Sequence, residues 1–170
     1  LMGIAGGGQD GYAAAMFYGI TYALMSTAAF GAIIVLSRKG FEAESIDDFK
    51  GLNARNPWLA GLVLCIMASL AGVPPLLGFF SKMFVLSAAV NGGLLWLAIL
   101  GVIASVVGAF YYLREIKVMY FDEPVGEAPP ANDDRVVGIL LGVNALALLV
   151  LAVAFNPIMA WCQQAFAHLA

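Results

Sequence analysis

Four stretches of this chain are each apolar enough and long enough to cross a bilayer, which leaves few options for its fold. A hydrocarbon core of about 30 Å takes about 20 apolar residues in helical form. Residues 12–36, 94–112 and 136–155 carry no charge, and residues 58–90 carry only Lys82. The last run stops at Asn156-Pro157, where proline interrupts a helix. In lipid only helices and closed barrels satisfy their own backbone, and runs of this length read as helices. The chain is 62% hydrophobic and 11% charged, against about 25% charged for soluble domains. The expectation is an all-α polytopic membrane protein forming one unit over residues 1–170. Its four spans lie at about 12–37, 58–90, 94–120 and 136–156.

Charge placement orients the spans. Arg38, Lys39, Lys50 and Arg55 fall between spans one and two, and Arg114, Lys117 and Arg135 between spans three and four. Seven of the eight basic residues thus share one side, which the positive-inside rule assigns to the cytoplasm. Loops 38–57 and 121–135 are then cytoplasmic, and both termini lie on the other side. The chain shows no signal-peptide pattern, and its start at Leu1, without a methionine, points to a longer parent sequence.

The connectors offer little chemistry. Ser45-Ile46-Asp47-Asp48 reads as a capping box. It opens a short helix with Ile46, Phe49 and Leu52 on one side, either lying on the membrane surface or in a solvated loop. Residues 122–134 read as an acidic, proline-rich solvated connector. The tail from Pro157, with Trp161 and Phe166, suits an interface. Cys65 and Cys162 have no metal-ligand or disulfide spacing and read as small buried hydrophobes. His168, the one histidine, sits near an exposed end. No phosphate-binding glycine loop or cysteine cluster is present, and nothing points to nucleic acid.

Small residues recur every four positions in span one (Ala15, Gly19, Ala23, Thr27, Gly31) and more briefly in span three (Gly101, Ser105, Ala109). Such stripes let helices pack closely in lipid, so both spans are expected inside a bundle. Span four is expected to face lipid more, with Asn144 bonded to a neighbour. Span one also carries hydroxyls at Tyr18, Thr21, Tyr22 and Ser26. These read either as groups satisfied by nearby backbone or as the wall of a hydrated path.

The most informative segment is SLAGVPPLLGFFSKMF, residues 69–84. Pro74 and Pro75 remove two backbone donors, and Gly72 and Gly78 loosen the chain on either side. The 33 residues from 58 to 90 would reach about 50 Å as one straight helix, so a break near 72–76 is expected. Non-helical backbone at membrane depth is tolerated only inside protein or beside a water-filled cavity, as at transporter ion sites. Lys82 lies eight residues before Val90, about 12 Å from that helix end. A lysine stem reaches only about 6 Å, too short for the ammonium to snorkel out from there. No span contains an acid to pair with it. An ammonium without a counter-ion in a low-dielectric site holds its proton less tightly than in water, and intramembrane charges are functional by default. A proton relay and a structural lysine both remain open on these residues alone. Glu115, between Arg114 and Lys117, reads either as a proton-uptake group or as part of a helix-end salt bridge.

The same 69–84 segment, together with AFYYLREIKVMYFDEP at 109–124, resembles the C-terminal third of the subunit N family (mitochondrial subunit 2) of NADH–quinone oxidoreductase, respiratory complex I. The first segment alone is also similar to subunits of Mrp-type cation/proton antiporters and membrane-bound hydrogenases. The resemblance implies a fourteen-helix subunit with two inverted five-helix repeats, of which these spans would be helices eleven to fourteen. Pro74-Pro75 would be the break in helix twelve and Lys82 its central lysine. The first repeat, with its own charged residues, has no counterpart here and would lie upstream.

By this resemblance the chain is part of a proton-translocating subunit in a bacterial inner membrane. It would relay protons through Lys82, coupled to quinone reduction elsewhere, and hold no redox site of its own. NADH, flavin, iron–sulfur clusters and quinone would belong to partner subunits. Its neighbours would be other membrane subunits of complex I, the bilayer and its own upstream helices. The rival readings are a Mrp-type antiporter or hydrogenase subunit and a structural membrane scaffold.

Overall fold

The computed structural model describes residues 1–37, 45–124 and 135–169. Arg38, Lys39 and most of the acidic connector lie outside the described residues, as does the side chain of Arg135. The described residues are helical, with no strand. In chain order the helices are α1 (Met2–Gly6), α2 (Gly8–Leu36), α3 (Leu52–Arg55), α4 (Pro57–Ala71), α5 (Leu77–Asn91), α6 (Leu95–Phe121), α7 (Arg135–Val153) and α8 (Phe155–Ala165). Helices α2 and α6 are each long and apolar enough to cross a membrane, and the bent pair α7–α8 would make a third span. Helices α4 and α5 are apolar but have 15 residues each, about 22 Å apiece. The protein is therefore a multi-pass helical membrane protein.

Helix α2 starts four residues before its apolar run, taking in Gly8, Gln9 and Asp10. Asp10 in the first turn complements the positive end of the helix dipole. The buried face of α2 is set by Phe17, Thr21, Met25, Ala28, Ala32 and Val35, a helical period. The stripe of small residues on α2 does not pack as expected. Gly19, Ala23 and Thr27 are exposed, and nothing among the described residues lies within 4 Å of a side chain built at Gly19. Phe17 and Met25 bury more apolar area than alanine and glycine, so among the described residues their side of the helix is turned inward.

Helix α6 turns its small residues toward the bundle, with Gly101 against Met2 and Leu86, and leaves its other side uncovered among the described residues. Its half-buried side carries Gly101, Ser105 and Ala109, while Trp96, Ile103, Val106 and Phe110 are exposed. Helix α7, expected to face lipid, instead buries Leu141, Ala145, Leu148 and Ala152 in the core. The hydrogen bond expected from Asn144 is missing, since its buried Oδ1 has no partner among the described residues. Cys162 is buried and Cys65 half-buried, both as free thiols.

The fourth apolar run ends earlier than expected and its tail is helical. The chain bends by 78° between α7 and α8, at Ala154 rather than at Asn156-Pro157. A proline ring collides with the carbonyl four residues earlier, and four residues before Pro157 is Val153, the last residue of α7. Proline itself is tolerated in the first turn of α8 because its missing N–H would be unpaired there anyway. Phe155 fixes the bend by stacking on Phe80 of α5 at 4.2 Å between ring centres. Helix α8 then returns over the start of α2, where Gln9 Nε2 donates to the Gln163 carbonyl at 3.0 Å.

At the opposite end, the Ser45 capping box forms: Ser45 N–H donates to Asp48 Oδ2 and Asp47 N–H to Ser45 Oγ. It opens only a single 3-10 turn, Ile46–Phe49. Phe49 and Leu52 are buried in the protein core rather than laid on a membrane surface, and Gly51 N–H donates to the Val118 carbonyl of α6.

The α4 and α5 ends meet at Gly78. A methyl group there would run into the Ser69 carbonyl, which is backbone and cannot rotate away. Gly78→Ala is expected to cost about 1–3 kcal/mol by overpacking, whereas Gly19→Ala meets open space and gains helix propensity, about 1 kcal/mol at most. Thermal unfolding of the detergent-solubilised protein checks the contrast: the midpoint falls for the first variant and holds or rises for the second.

Candidate site at the helix break

A helix end leaves its last four carbonyls without intrahelical donors, and in an apolar setting each must find another. The end of α4 meets this demand in two ways. Gly72 adopts a left-handed conformation, φ 87° and ψ 36°, which glycine enters without steric cost. That reversal lets Gly72 N–H reach the Ser69 carbonyl at 3.0 Å and Val73 N–H the Ala68 carbonyl at 3.0 Å, the paired bonds of a Schellman motif. Leu70 and Ala71 remain. Lys82 supplies their donor: Nζ lies 2.9 Å from the Leu70 carbonyl and 3.0 Å from the Ala71 carbonyl.

The lysine thus has a partner within this chain, and it is backbone. No span holds an acid to pair with it, and the broken helix offers a negative pole through its C-terminal dipole instead. Gly72 is needed for a second reason. A side chain there would come within 3.2 Å of the Lys82 stem and ammonium.

Ser69, which the sequence reading did not single out, joins the two half-helices. Its hydroxyl accepts from Gly78 N–H at 3.2 Å, satisfying a donor in the first turn of α5. It lies 3.1 Å from Met25 Sδ of α2, to which it donates. Both Ser69 and Ser81 are buried, and Ser81 Oγ donates to the Gly78 carbonyl. Nothing in the sequence distinguishes Ser69 from a spacer; only its position opposite Gly78 does. Pro74 and Pro75, joined by a cis peptide, form the turn between the helices with Leu76.

Lys82 faces two cavities. One, of about 630 Å³, lies between α5 and α6, with Lys82, Ser87, Asn91 and Ser105 as its polar lining. The other, of about 500 Å³, lies among α2, α5 and α6, and Tyr18, Tyr22, Lys82, Ser105 and Tyr112 line it. An ammonium has three donors, and the helix end takes two, so one remains for the cavities.

The structure brings some expected site residues together and separates others. Tyr18 and Tyr22 share the smaller cavity with Lys82, their rings stacked at 5.8 Å with 9° between planes. Thr21 points the other way, buried in the core with Oγ1 donating to the Tyr18 carbonyl. Ser26 lines neither of these two cavities. Glu115 lies on α6 beyond Tyr112, half-buried. Among the described residues Glu115 forms no helix-end salt bridge, and Lys117 pairs with Asp122 at 3.0 Å. Among the described residues no cluster of His, Cys, Asp or Glu could hold a metal ion.

Residues 1–108 match the family model described as NADH:quinone oxidoreductase/Mrp antiporter, transmembrane. The chain belongs to that family. Within the family, it is 74% identical over 170 residues to NADH-quinone oxidoreductase subunit N of Xanthomonas euvesicatoria pv. vesicatoria, covering 100% of this chain and 35% of the relative. The subunit N of Acidithiobacillus ferrooxidans is 52% identical over 162 residues, 95% of this chain and 34% of that protein. The chain therefore spans about a third of the length of the curated relatives it matches. Its fold is similar to a chain of respiratory complex I from Thermus thermophilus with bound aureothin. The TM-score there is 0.76 at 26% identity, over 89% of this chain and 35% of that one.

Ser69→Ala removes the acceptor for the buried Gly78 N–H. Leaving such a donor unpaired costs about 1–3 kcal/mol, and the expected result is a lower thermal midpoint for the detergent-solubilised protein. An unchanged midpoint shows that Ser69 does not hold the break together.

Proposed function

We propose that this chain is part of a proton-translocating membrane subunit of NADH–quinone oxidoreductase and that Lys82 is a proton relay within it. The observation that carries this reading is the placement of Lys82. It is a lone intramembrane ammonium, held by two carbonyls of a broken helix and open to cavities on two sides. Such a group can exchange a proton with water while the helix end keeps the nitrogen in place. The names of the relatives support the oxidoreductase over the antiporter side of the family.

On this reading the chain crosses the membrane four times: through α2, through α4 and α5 together, through α6, and through α7. Lys50, Arg55, Arg114 and Lys117 mark the cytoplasmic side, and both ends lie opposite. The membrane is a bacterial inner membrane, as the bacterial relatives suggest. Partners are the upstream helices of the same subunit and the other complex I membrane subunits, while NADH, flavin, iron–sulfur clusters and quinone act elsewhere in the complex.

Two substitutions at one position test the relay. Lys82→Ala removes both the proton carrier and the cap. Lys82→Arg keeps a cation able to donate to Leu70 and Ala71, but a guanidinium does not give up its proton in proteins. In membrane vesicles holding the complete complex, both variants are expected to lower NADH-driven proton translocation by about tenfold or more, with the arginine variant assembling normally. Wild-type translocation and NADH oxidation in an intact Lys82→Ala complex would sink the relay.

A further inference from the structure

Tyr112 is no candidate site residue by sequence, yet it lies on α6 at the wall of the smaller cavity. Three helix ends fix a common level from which depth can be measured. The backbone of Gly6, just before α2, packs against Ala88 and Gly92 at the end of α5, and α6 begins three residues after Gly92. Counting along the helix axes from this level at about 1.5 Å per residue, Lys82 lies about 14 Å in and Tyr18 about 15 Å. Tyr22 follows at about 21 Å, Tyr112 at about 26 Å and Glu115 at about 30 Å. The last depth equals the thickness of a hydrocarbon core, so Glu115 stands at the far boundary. Five groups able to carry a proton are thus spaced through half the membrane, and four of them line one cavity.

The rungs are also close enough to interact. Tyr18 and Tyr22 stack, Tyr112 lines the same cavity, and Glu115 lies three residues beyond Tyr112 on α6, a spacing that puts the two side chains on one face. Glu115 is in no ion pair among the described residues, and Lys117 is paired with Asp122. A phenol hydroxyl both donates and accepts a hydrogen bond, so it can accept one proton on its oxygen as it releases its own. The cavity of about 500 Å³ has room for waters beside the polar side chains of Tyr18, Tyr22, Lys82, Ser105 and Tyr112.

We infer that Tyr112 carries protons between Glu115 and the cavity of Lys82, with Tyr22 and Tyr18 lining the route. A proton taken from water by the Glu115 carboxylate passes to the Tyr112 oxygen as Tyr112 gives its own hydroxyl proton to water in the cavity, and that water passes one on to a Lys82 amine left neutral by release of its earlier proton into the cavity between α5 and α6. Glu115 is then a carboxylate again, the phenol resets by turning its O–H, and Lys82 resets when it next releases a proton. The inference rests on the relay reading of Lys82 and adds the side from which that lysine is supplied.

The test compares two replacements at Tyr112 in the complete complex. Tyr112→Phe keeps the ring and removes only the hydroxyl. Tyr112→His changes the packing more but restores a group that can both accept and release a proton. If Tyr112 conducts, NADH-driven proton translocation in vesicles falls several-fold for phenylalanine and recovers in part for histidine. A packing role gives the reverse order, with phenylalanine near wild type, and overturns the inference. Lys82→Ala measured alongside separates the two levels: its loss of translocation with an unaffected Tyr112→Phe leaves the relay standing without this route. Glu115→Gln is expected to lower translocation as Tyr112→Phe does, and no effect there overturns the supply from Glu115.

Discussion

An interrupted helix in an apolar environment exposes carbonyls that no water is at hand to satisfy, and the bonds from Lys82 Nζ to Leu70 and Ala71 meet that need. The rest of the site follows from it. Because the ammonium bonds to the end of α4, α5 must start close enough for a side chain in its second turn to reach back. That closeness leaves no room for a side chain at Gly78, would press one at Gly72 against the Lys82 stem, and places Ser69 against the first turn of α5. It also leaves one ammonium donor free beside the two cavities that Lys82 lines.

The sequence carried the existence of this site but not its wiring. A proline pair and a single charge inside an apolar run are strong signals, because each is costly in lipid unless something compensates. The compensation was out of sight, since the partners of Lys82 are main-chain oxygens of Leu70 and Ala71, which any sequence has. Ser69 and Tyr112 were missed for a related reason. A serine near a helix end and a tyrosine near a membrane boundary are ordinary residues until the fold sets one against Gly78 and the other into a shared cavity. Tyr18 and Tyr22 were legible from their spacing, while Thr21, one position from Tyr22, turned to the core because its hydroxyl could be satisfied by its own helix.

Helix packing was less legible than helix position. The small-residue rule ranks faces by how closely another helix can approach, but it does not say which partner is present. On α2 Phe17 and Met25 decide the inner face, joined there by Ala28 and Ala32, while Gly19, Ala23 and Thr27 look outward among the described residues. Proline's effect was misplaced by a few residues, since its ring acts on the preceding turn. The 78° bend at Ala154 therefore precedes Pro157, and the segment beyond it has enough apolar surface to fold back over the start of α2.

The helix-end partner of Lys82 has a genetic consequence. A lysine paired with a glutamate loses its counter-charge whenever the glutamate codon changes. Here the negative pole is the summed dipole of α4 and two peptide oxygens, and no single side-chain replacement erases it. The positions open to damaging substitution shift accordingly, away from any second charged residue and onto the glycines that shape the break. Inherited loss at this site would then surface as bulk added to a residue with no chemistry of its own.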